Sequence, residues 1–162
     1  MRKIARRVDA GWLREEDIAE FPSLDLDTIL KLYRAQLKRI LSCTLYFLEI
    51  QTNKGTLYKI GVTERRVTER MAEAERDLLA QYQNITIQVL GTWSHRGNVE
   101  LYFKHRYRDF NYPIDNLTEY YKFNTEDAKI VLHDLQEMKA KVLSSVEMDI
   151  LRDKPNPILV AV

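Results

Sequence analysis

Four residues in the middle of the chain carry side chains that together could hydrolyse a phosphodiester bond: Tyr46, Lys59, Arg70 and Glu100. This reaction needs an activated water, positive charge near the phosphorus and stabilisation of the leaving oxygen. Arg70 can donate to two phosphate oxygens, and Tyr46, or a water that it orients, can act as general base if Lys59 stabilises its phenolate form. A lone carboxylate such as Glu100 can hold one divalent ion. Because no nearby Asp/Glu pair could build a two-metal site, we expect Glu100 to be the only protein carboxylate on the metal.

Each of these residues also has an ordinary structural explanation. Tyr46 is one of nine tyrosines and could be a plain strand aromatic. Arg70 could form a surface pair with Glu73, which would be worth little free energy. Glu100 could pair with Lys104 one helical turn later. We favour the catalytic interpretation because the residues occur together and in this order.

The segments at 44–50 and 56–62 have the composition of two β-strands. Both are rich in β-branched, aromatic and aliphatic residues, and the sequence Thr-Asn-Lys-Gly at 52–55 supplies turn chemistry between them. We therefore predict a β-hairpin at this point of the chain.

The length of the hairpin loop decides whether Tyr46 and Lys59 can meet. Successive strand residues point to opposite faces of a sheet. An even loop, for example Asn53-Lys54, would place Tyr46 opposite Gly61 and diagonal to Lys59, on one face. The glycine would then leave room for the tyrosine ring. An odd loop would put Tyr46 and Lys59 on opposite faces and destroy the site.

Hydrophobic periodicity supplies the remaining elements. The sequence predicts an α/β (α+β) fold with a small antiparallel three-stranded sheet, the hairpin plus a third strand, flanked by helices. We expect a helical N-terminal extension at 1–43, a core at 44–123, and a long C-terminal helix with a tail at 124–162. The other expected elements are helices at 27–41 and 64–82, a strand at 85–93, a helix with Val99, Phe103 and Phe110 inward, a short strand at 120–123, and a helix capped by Asn124 or Thr125 with Val131, Leu135, Met138 and Val142 inward.

The composition is ordinary for a globular domain with a buried core, with 45% hydrophobic and 30% charged residues and a net charge of +1. The apolar runs are shorter than a membrane span, and no apolar h-region follows the basic start. We therefore expect a cytoplasmic protein with no membrane partner. The single cysteine, Cys43, cannot form an intramolecular disulfide and is expected to be buried.

Basic residues crowd two short stretches, which favours an anionic partner. One runs from Arg96 to Arg108, and the other surrounds Arg66. Two solvated helix faces are an equally simple explanation, since acidic residues such as Glu69 dilute the second stretch. If the partner is DNA, the residues expected to contact its phosphates are Arg66, Arg96, Lys104, His105, Arg106 and Arg108.

The motifs around the four candidate residues resemble the GIY-YIG nuclease superfamily. Thr44-Leu45-Tyr46 is similar to the G-I-Y motif of the first hairpin strand, and Lys59-Ile60-Gly61 is similar to the Y-I-G motif of the second. An arginine on the next helix and a glutamate on a later helix follow in the superfamily, as Arg70 and Glu100 do here. The Lys-Ile-Gly form, the stretch at 99–103 and Glu119-Tyr120-Tyr121 are similar to a phage and restriction-enzyme-like branch.

This resemblance implies a metal-dependent DNA endonuclease, phage-borne or part of a restriction or mobile-element system. It implies Mg²⁺ or Mn²⁺ on Glu100, duplex DNA more than single-stranded DNA as the substrate, and a homodimer as one option. The catalytic residues would be Tyr46, Tyr58, Lys59, Arg70 and Glu100. The histidine of many superfamily members has no counterpart, so one alternative is a catalytically inactive nucleic-acid-binding module on the same scaffold. Another is a helical interaction protein.

Overall fold

The computed structural model describes residues 26–97 and 99–152, with the side chains of all of these except Leu26, Glu100 and Leu101. Helices cover both faces of one antiparallel sheet, so the predicted fold class is confirmed. In chain order the elements are α1 (Leu26–Ser42), β1 (Thr44–Thr52), β2 (Gly55–Thr63), α2 (Val67–Leu78), β3 (Thr86–Ser94), α3 (Glu100–Arg106), a 3₁₀ turn (Arg108–Phe110), β4 (Tyr120–Tyr121), α4 (Thr125–Glu137) and α5 (Ser145–Leu151).

The sheet has four strands in the order β3-β1-β2-β4, one more than the three predicted. The added strand, β4, pairs only Tyr120 and Tyr121 with β2. In the hairpin, Thr52 pairs with Gly55, which leaves the two-residue loop Asn53-Lys54. The loop is therefore even, as the predicted site requires.

Each face of the sheet carries its own core. We call the face that bears Tyr46, Leu48, Ile50, Leu57 and Lys59 the Tyr46 face, and the face that bears Leu45, Phe47, Tyr58 and Ile60 the Phe47 face. Leu78 of α2 and Tyr82 pack on the Tyr46 face. Residues of α3 and α4, Phe103 and Val131 among them, pack on the Phe47 face. Each fully buried large apolar side chain stabilises the fold by about 1.5–3 kcal/mol.

Helices α1 and α5 form a third core beside the sheet, in which α1 packs its apolar stripe against Ile150. The Tyr33 hydroxyl donates to Glu147 at 2.7 Å, and Lys141 forms an ion pair with the same carboxylate at 3.1 Å. Burial by itself would raise the pKa of Glu147, but these hydrogen bonds and one from the Ser144 backbone outweigh it and hold the pKa below its ordinary value. The carboxylate is therefore one polar link between α1 and α5, and the hydrogen bond from Arg34 Nε to Ile150 O at 2.8 Å is another.

Some boundaries differ from the prediction. Helix α2 starts at Val67 and not at 64, because Arg66 is extended and the Arg65 N–H bonds back to Thr63 Oγ1. The long C-terminal helix is wrong: α4 ends before Met138, whose backbone is extended, and Ser144 caps a separate helix with a capping box.

Two side chains predicted to face inward are exposed, because the helices expected to carry them end at Arg106 and Glu137, before these residues. Val142 lies between α4 and α5 and is 83% exposed, and Phe110 lies in the 3₁₀ turn and is also exposed. The inward positions of Val131 and Leu135, the Asn124 cap and the burial of Cys43 are confirmed. The N-terminal extension before residue 26 and the tail after 152 lie outside the described residues.

Candidate active site

Tyr46 lies opposite Gly61 across the hairpin, as predicted. Its side chain is fully buried, and the glycine makes this position available. A Cβ on residue 61 would lie 2.5 Å from the Tyr46 hydroxyl oxygen and 2.7 Å from Cζ, which is closer than unbonded atoms can approach. Residue 61 must therefore lack a side chain for Tyr46 to keep its place.

Arg70 on α2 lies over the Tyr46 hydroxyl, and each of its three guanidinium nitrogens faces an oxygen of a different residue. Its Nε donates to Tyr46 Oη at 3.2 Å, and Nη1 donates to Glu73 Oε2 at 2.7 Å. Nη2 lies 3.7 Å from Glu119 Oε2. Partial burial alone would lower the pKa of Arg70, but Tyr46 and the two carboxylates raise it, so the guanidinium stays charged.

Lys59 is the buried cation of the Tyr46 face, with only 3% of its surface exposed. Its Nζ lies 3.4 Å from Glu119 Oε2 and 5.1 Å from the centre of the Tyr120 ring. The Glu119 carbonyl accepts a hydrogen bond from the Ile60 N–H, so the pairing of β4 with β2 fixes this carboxylate. Glu119 thus bridges Lys59 and Arg70.

Arg65 and Glu73 extend the cluster toward solvent. Arg65 Nη2 lies 2.6 Å from Glu73 Oε1, while the other oxygen of Glu73 faces Arg70. The hydrogen bond from Arg65 lowers the pKa of Glu73, and the charge of Arg70 adds to this effect. Three cations and two carboxylates meet here, which leaves one surplus positive charge. We call Tyr46, Lys59, Arg65, Arg70, Glu73 and Glu119 the Arg70 cluster.

Glu100 is the first residue of α3. The chain before it is held against the start of β1, because the Arg96 N–H donates to Cys43 O and the Gly97 N–H donates to Ile40 O, each at 3.4 Å. These bonds hold residues 96 and 97 beside the start of β1, the strand that carries Tyr46.

The T5orf172 domain matches residues 44–138, more than half of the chain. The chain belongs to the T5orf172 domain family. This is a GIY-YIG-like, nuclease-associated domain, and its matched region contains the whole Arg70 cluster. No curated protein and no solved structure shows significant similarity to the chain.

In this T5orf172 domain Tyr58 is not part of the Arg70 cluster, although we expected it to be catalytic. It directly precedes Lys59 in β2, so alternation sends it to the Phe47 face. There it stacks on Phe47 at 5.6 Å between ring centres and donates to Glu49 at 3.4 Å. Burial raises the pKa of its hydroxyl. Tyr58 is a core aromatic of the T5orf172 domain.

Two of the basic residues predicted to contact DNA phosphates, Arg96 and Arg106, bind to other groups of the T5orf172 domain instead. Arg96 donates to the carbonyls of Ser94 and Met138 at 2.6 and 2.8 Å, which ties the end of β3 to the end of α4. Arg106 donates to the Tyr102 hydroxyl and pairs with Asp134 at 3.0 Å.

Helix α3 packs on the Phe47 face, whereas the Arg70 cluster lies on the Tyr46 face, so the structure does not place the basic residues of this helix beside the cluster. His105 and Arg108 are exposed there, and Lys104 is half-buried. Arg66 is exposed beside Arg65 at the start of α2. Of the six predicted contacts, Arg66 alone is adjacent in sequence to a member of the Arg70 cluster.

Three members of the Arg70 cluster were not predicted: Arg65, Glu73 and Glu119. Glu73 was interpreted as a surface partner of Arg70, and Glu119 was noted only as part of the Glu-Tyr-Tyr segment. The structure does bring two carboxylates together, because Glu73 and Glu119 both lie within ion-pair distance of Arg70. Glu73 could have been found from its i,i+3 spacing to Arg70, whereas no local pattern announces the pairing of β4 with β2.

Within residues 26–97 and 99–152, no group of three His, Cys, Asp or Glu side chains comes together. Mg²⁺ is usually held by one or two carboxylates, with waters and substrate phosphates at its other positions. Glu73 and Glu119 already compensate cations, so an ion here would depend on phosphate oxygens arriving with the substrate.

A Gly61→Ala variant should be destabilised by about 1–3 kcal/mol, the usual cost of overpacking a buried site. The added methyl overlaps the Tyr46 ring, so the ring and the Arg70 fork above it must shift. Urea unfolding followed by circular dichroism measures the change. Thr56→Ala, on the exposed start of the same strand, is the control and should stay within about 0.5 kcal/mol of wild type. Equal stability of the two variants would contradict the close packing of Tyr46 on Gly61.

The helices of the described part of this T5orf172 domain are each too short or too polar to cross a membrane.

Proposed function

We propose that this protein is a metal-dependent DNA endonuclease of the GIY-YIG type that hydrolyses phosphodiester bonds. The observation that carries the proposal is the position of the Arg70 guanidinium. It contacts the Tyr46 hydroxyl and the carboxylates of Glu73 and Glu119. The buried cation Lys59 pairs with the same Glu119 carboxylate. A cluster of this kind, with one surplus positive charge, suits a phosphate that carries developing negative charge. Its place in a nuclease-associated domain supports the same conclusion.

Each residue has a role in this proposal. Arg70 grips the scissile phosphate, because its planar fork matches phosphate oxygens. Tyr46 handles the attacking water, since its hydroxyl lies beside that fork. Lys59 supplies buried positive charge. Glu100 is the proposed ligand of Mg²⁺ or Mn²⁺, and the ion, when bound, supplies further charge at the phosphorus and the leaving oxygen.

Duplex DNA is the proposed substrate, and a phage, restriction or mobile-element system is the proposed setting. A homodimer would allow paired cuts on the two strands of the duplex. These statements rest on the resemblance to GIY-YIG nucleases.

One observation favours a second candidate, a DNA-binding module without catalysis. Each nitrogen of Arg70 already faces a protein oxygen, so phosphate must displace Glu73 or Glu119 before Arg70 can grip it. A protein that cannot make this exchange would bind DNA through its outer cations and leave it uncut.

Cleavage of supercoiled plasmid with Mg²⁺ or Mn²⁺ separates the two candidates. Wild type should nick or linearise the plasmid. Glu100→Gln should abolish cleavage and keep or improve DNA affinity, because it removes a negative charge without changing the side-chain shape. Glu126→Gln, on the exposed first turn of α4, is the charge-matched control and should cut like wild type.

Two results would change these assignments. If Glu100→Gln cuts as well as wild type, another residue holds the metal. If wild type cuts neither DNA nor RNA with either ion while still binding DNA, the non-catalytic module is correct.

A further inference from the structure

Glu73 holds two arginines at once, one through each carboxylate oxygen. Oε1 lies 2.6 Å from Arg65 Nη2, and Oε2 lies 2.7 Å from Arg70 Nη1. The two guanidinium groups are therefore neighbours across a single carboxylate. Arg70 comes from the first turns of α2, whereas Arg65 comes from the turn that links β2 to α2.

The main chain fixes the turn that carries Arg65. The Arg65 N–H donates to Thr63 Oγ1 at 3.0 Å, and Thr63 is the last residue of β2. The N–H groups of Glu69 and Arg70 both bond to the Arg66 carbonyl, at 3.1 and 3.4 Å. Both arginines thus start from ordered backbone, only a few residues from Gly61.

The two arginines differ in exposure, so one lies on the inner side of the cluster and the other on its solvent side. The Arg70 side chain is 19% exposed, whereas that of Arg65 is 53% exposed. Arg70 reaches down to Tyr46 on the sheet, and Arg65 presents its guanidinium to solvent above it. A strand of nucleic acid laid over Arg70 would therefore meet Arg65 on the outer side.

The charge balance argues against a pair that only stabilises the helix surface. An ordinary surface ion pair needs one arginine, and it contributes little to stability. Placing a second arginine on the same carboxylate adds like-charge repulsion, which another anion would relieve. Each guanidinium also has more N–H donors than Glu73 can accept, and a phosphate group offers several acceptor oxygens in a matching geometry.

We propose that Arg65 is a second phosphate-binding residue, which takes the phosphate adjacent to the one gripped by Arg70. The ligand class is two neighbouring phosphates of one nucleic-acid strand, and Glu73 sets the separation of the two guanidinium groups. This inference rests on the proposed nucleic-acid function and adds to it a residue that the sequence did not single out.

The test measures duplex DNA binding without divalent ions, so that cleavage cannot interfere. Wild type, Arg65→Ala and Arg76→Ala are compared over a salt series. Loss of one phosphate contact lowers the slope of log K against log salt by about 0.9. Arg65→Ala should show this loss and bind about ten-fold more weakly at low salt. Arg76→Ala removes the same charge from the exposed last turn of α2 and should bind like wild type.

A neutral backbone linkage identifies which phosphate Arg65 contacts. A methylphosphonate linkage beside the cleavage position should lower the DNA affinity of wild type. The same linkage should leave the DNA affinity of Arg65→Ala unchanged. Glu73→Gln keeps both arginines and removes a carboxylate that competes with phosphate for them, so its salt slope should match that of wild type and its DNA affinity should be equal or higher.

The failures of the two proposals are distinguishable. If Arg65→Ala keeps the wild-type affinity and salt slope, or if Arg76→Ala loses as much as Arg65→Ala, Arg65 is not a specific phosphate contact and this inference falls alone. If wild type binds no DNA at low salt, the proposed function is wrong, and this inference, which depends on it, is wrong as well.

Discussion

An Arg70→Lys variant should cut DNA about 100- to 1,000-fold more slowly than wild type, the usual effect of losing one preorganised donor at a developing charge. Lysine keeps the positive charge but is a single point, so it cannot reach Tyr46, Glu73 and Glu119 at the same time. DNA affinity should change little, because the net charge is the same. Single-turnover cleavage rates and a parallel binding titration measure the two effects separately.

Arg76→Lys makes the same substitution on the same helix, at an exposed position, and should cut at the wild-type rate. Circular dichroism of both variants checks that the fold is kept. A lysine at residue 70 that supports wild-type cleavage would mean that charge alone is needed there, and the planar fork would have no catalytic role.

Glu119→Gln should reduce the free energy of unfolding by about 3 kcal/mol, since removing one member of a buried ion pair leaves the other charge without compensation. Lys59 is the charge left behind, with 4% of its side chain exposed. The partial exposure of Glu119, at 29%, places the effect at the low end of the range for such pairs. Urea unfolding at neutral pH measures it.

The double variant Lys59→Met/Glu119→Gln tests the cause of this loss. Methionine fills the space of the lysine stem without a charge, so the double variant should recover most of the stability and still fail to cut DNA. Glu126→Gln, at an exposed position, should leave the stability unchanged. If the double variant is no more stable than Glu119→Gln, an unpaired Lys59 is not the source of the destabilisation.

Local signals made the hairpin half of the site predictable. Given an even loop such as Asn53-Lys54, alternation along the strands places Tyr46 opposite Gly61 with Lys59 on the same face, and the structure confirms this register. The four-strand sheet was less accessible, because a short strand was expected at 120–123 but nothing in its sequence indicated that it pairs with β2. Glu119 depends on that strand and lies about sixty positions beyond Lys59, so no local rule connects the two residues.

The remaining errors share a physical cause, which is tertiary contact overriding a local pattern. Arg96 is basic and near other basic residues, yet two main-chain carbonyls take its donors. The apolar spacing through Val142 suggested one long helix, yet Ser144 and Glu147 form a capping box that starts a new helix against α1. A local sequence pattern indicates which side chains will be buried and which carry charge. It does not indicate which distant segment will pack against them or pair with them.

The pairing of α1 with α5 has a consequence for how this chain can be shortened or grafted. Both helices lie outside the segment that matches the T5orf172 domain, one before it and one after it. They bury their apolar residues on each other and share the Tyr33–Glu147 bond. Removing α5 alone would expose Ile29, Tyr33 and Leu37 to solvent. Removing α1 alone would expose Ile150. The two helices therefore form one packing unit from segments on either side of the matched region, and we expect that they can be deleted or transplanted only as a pair.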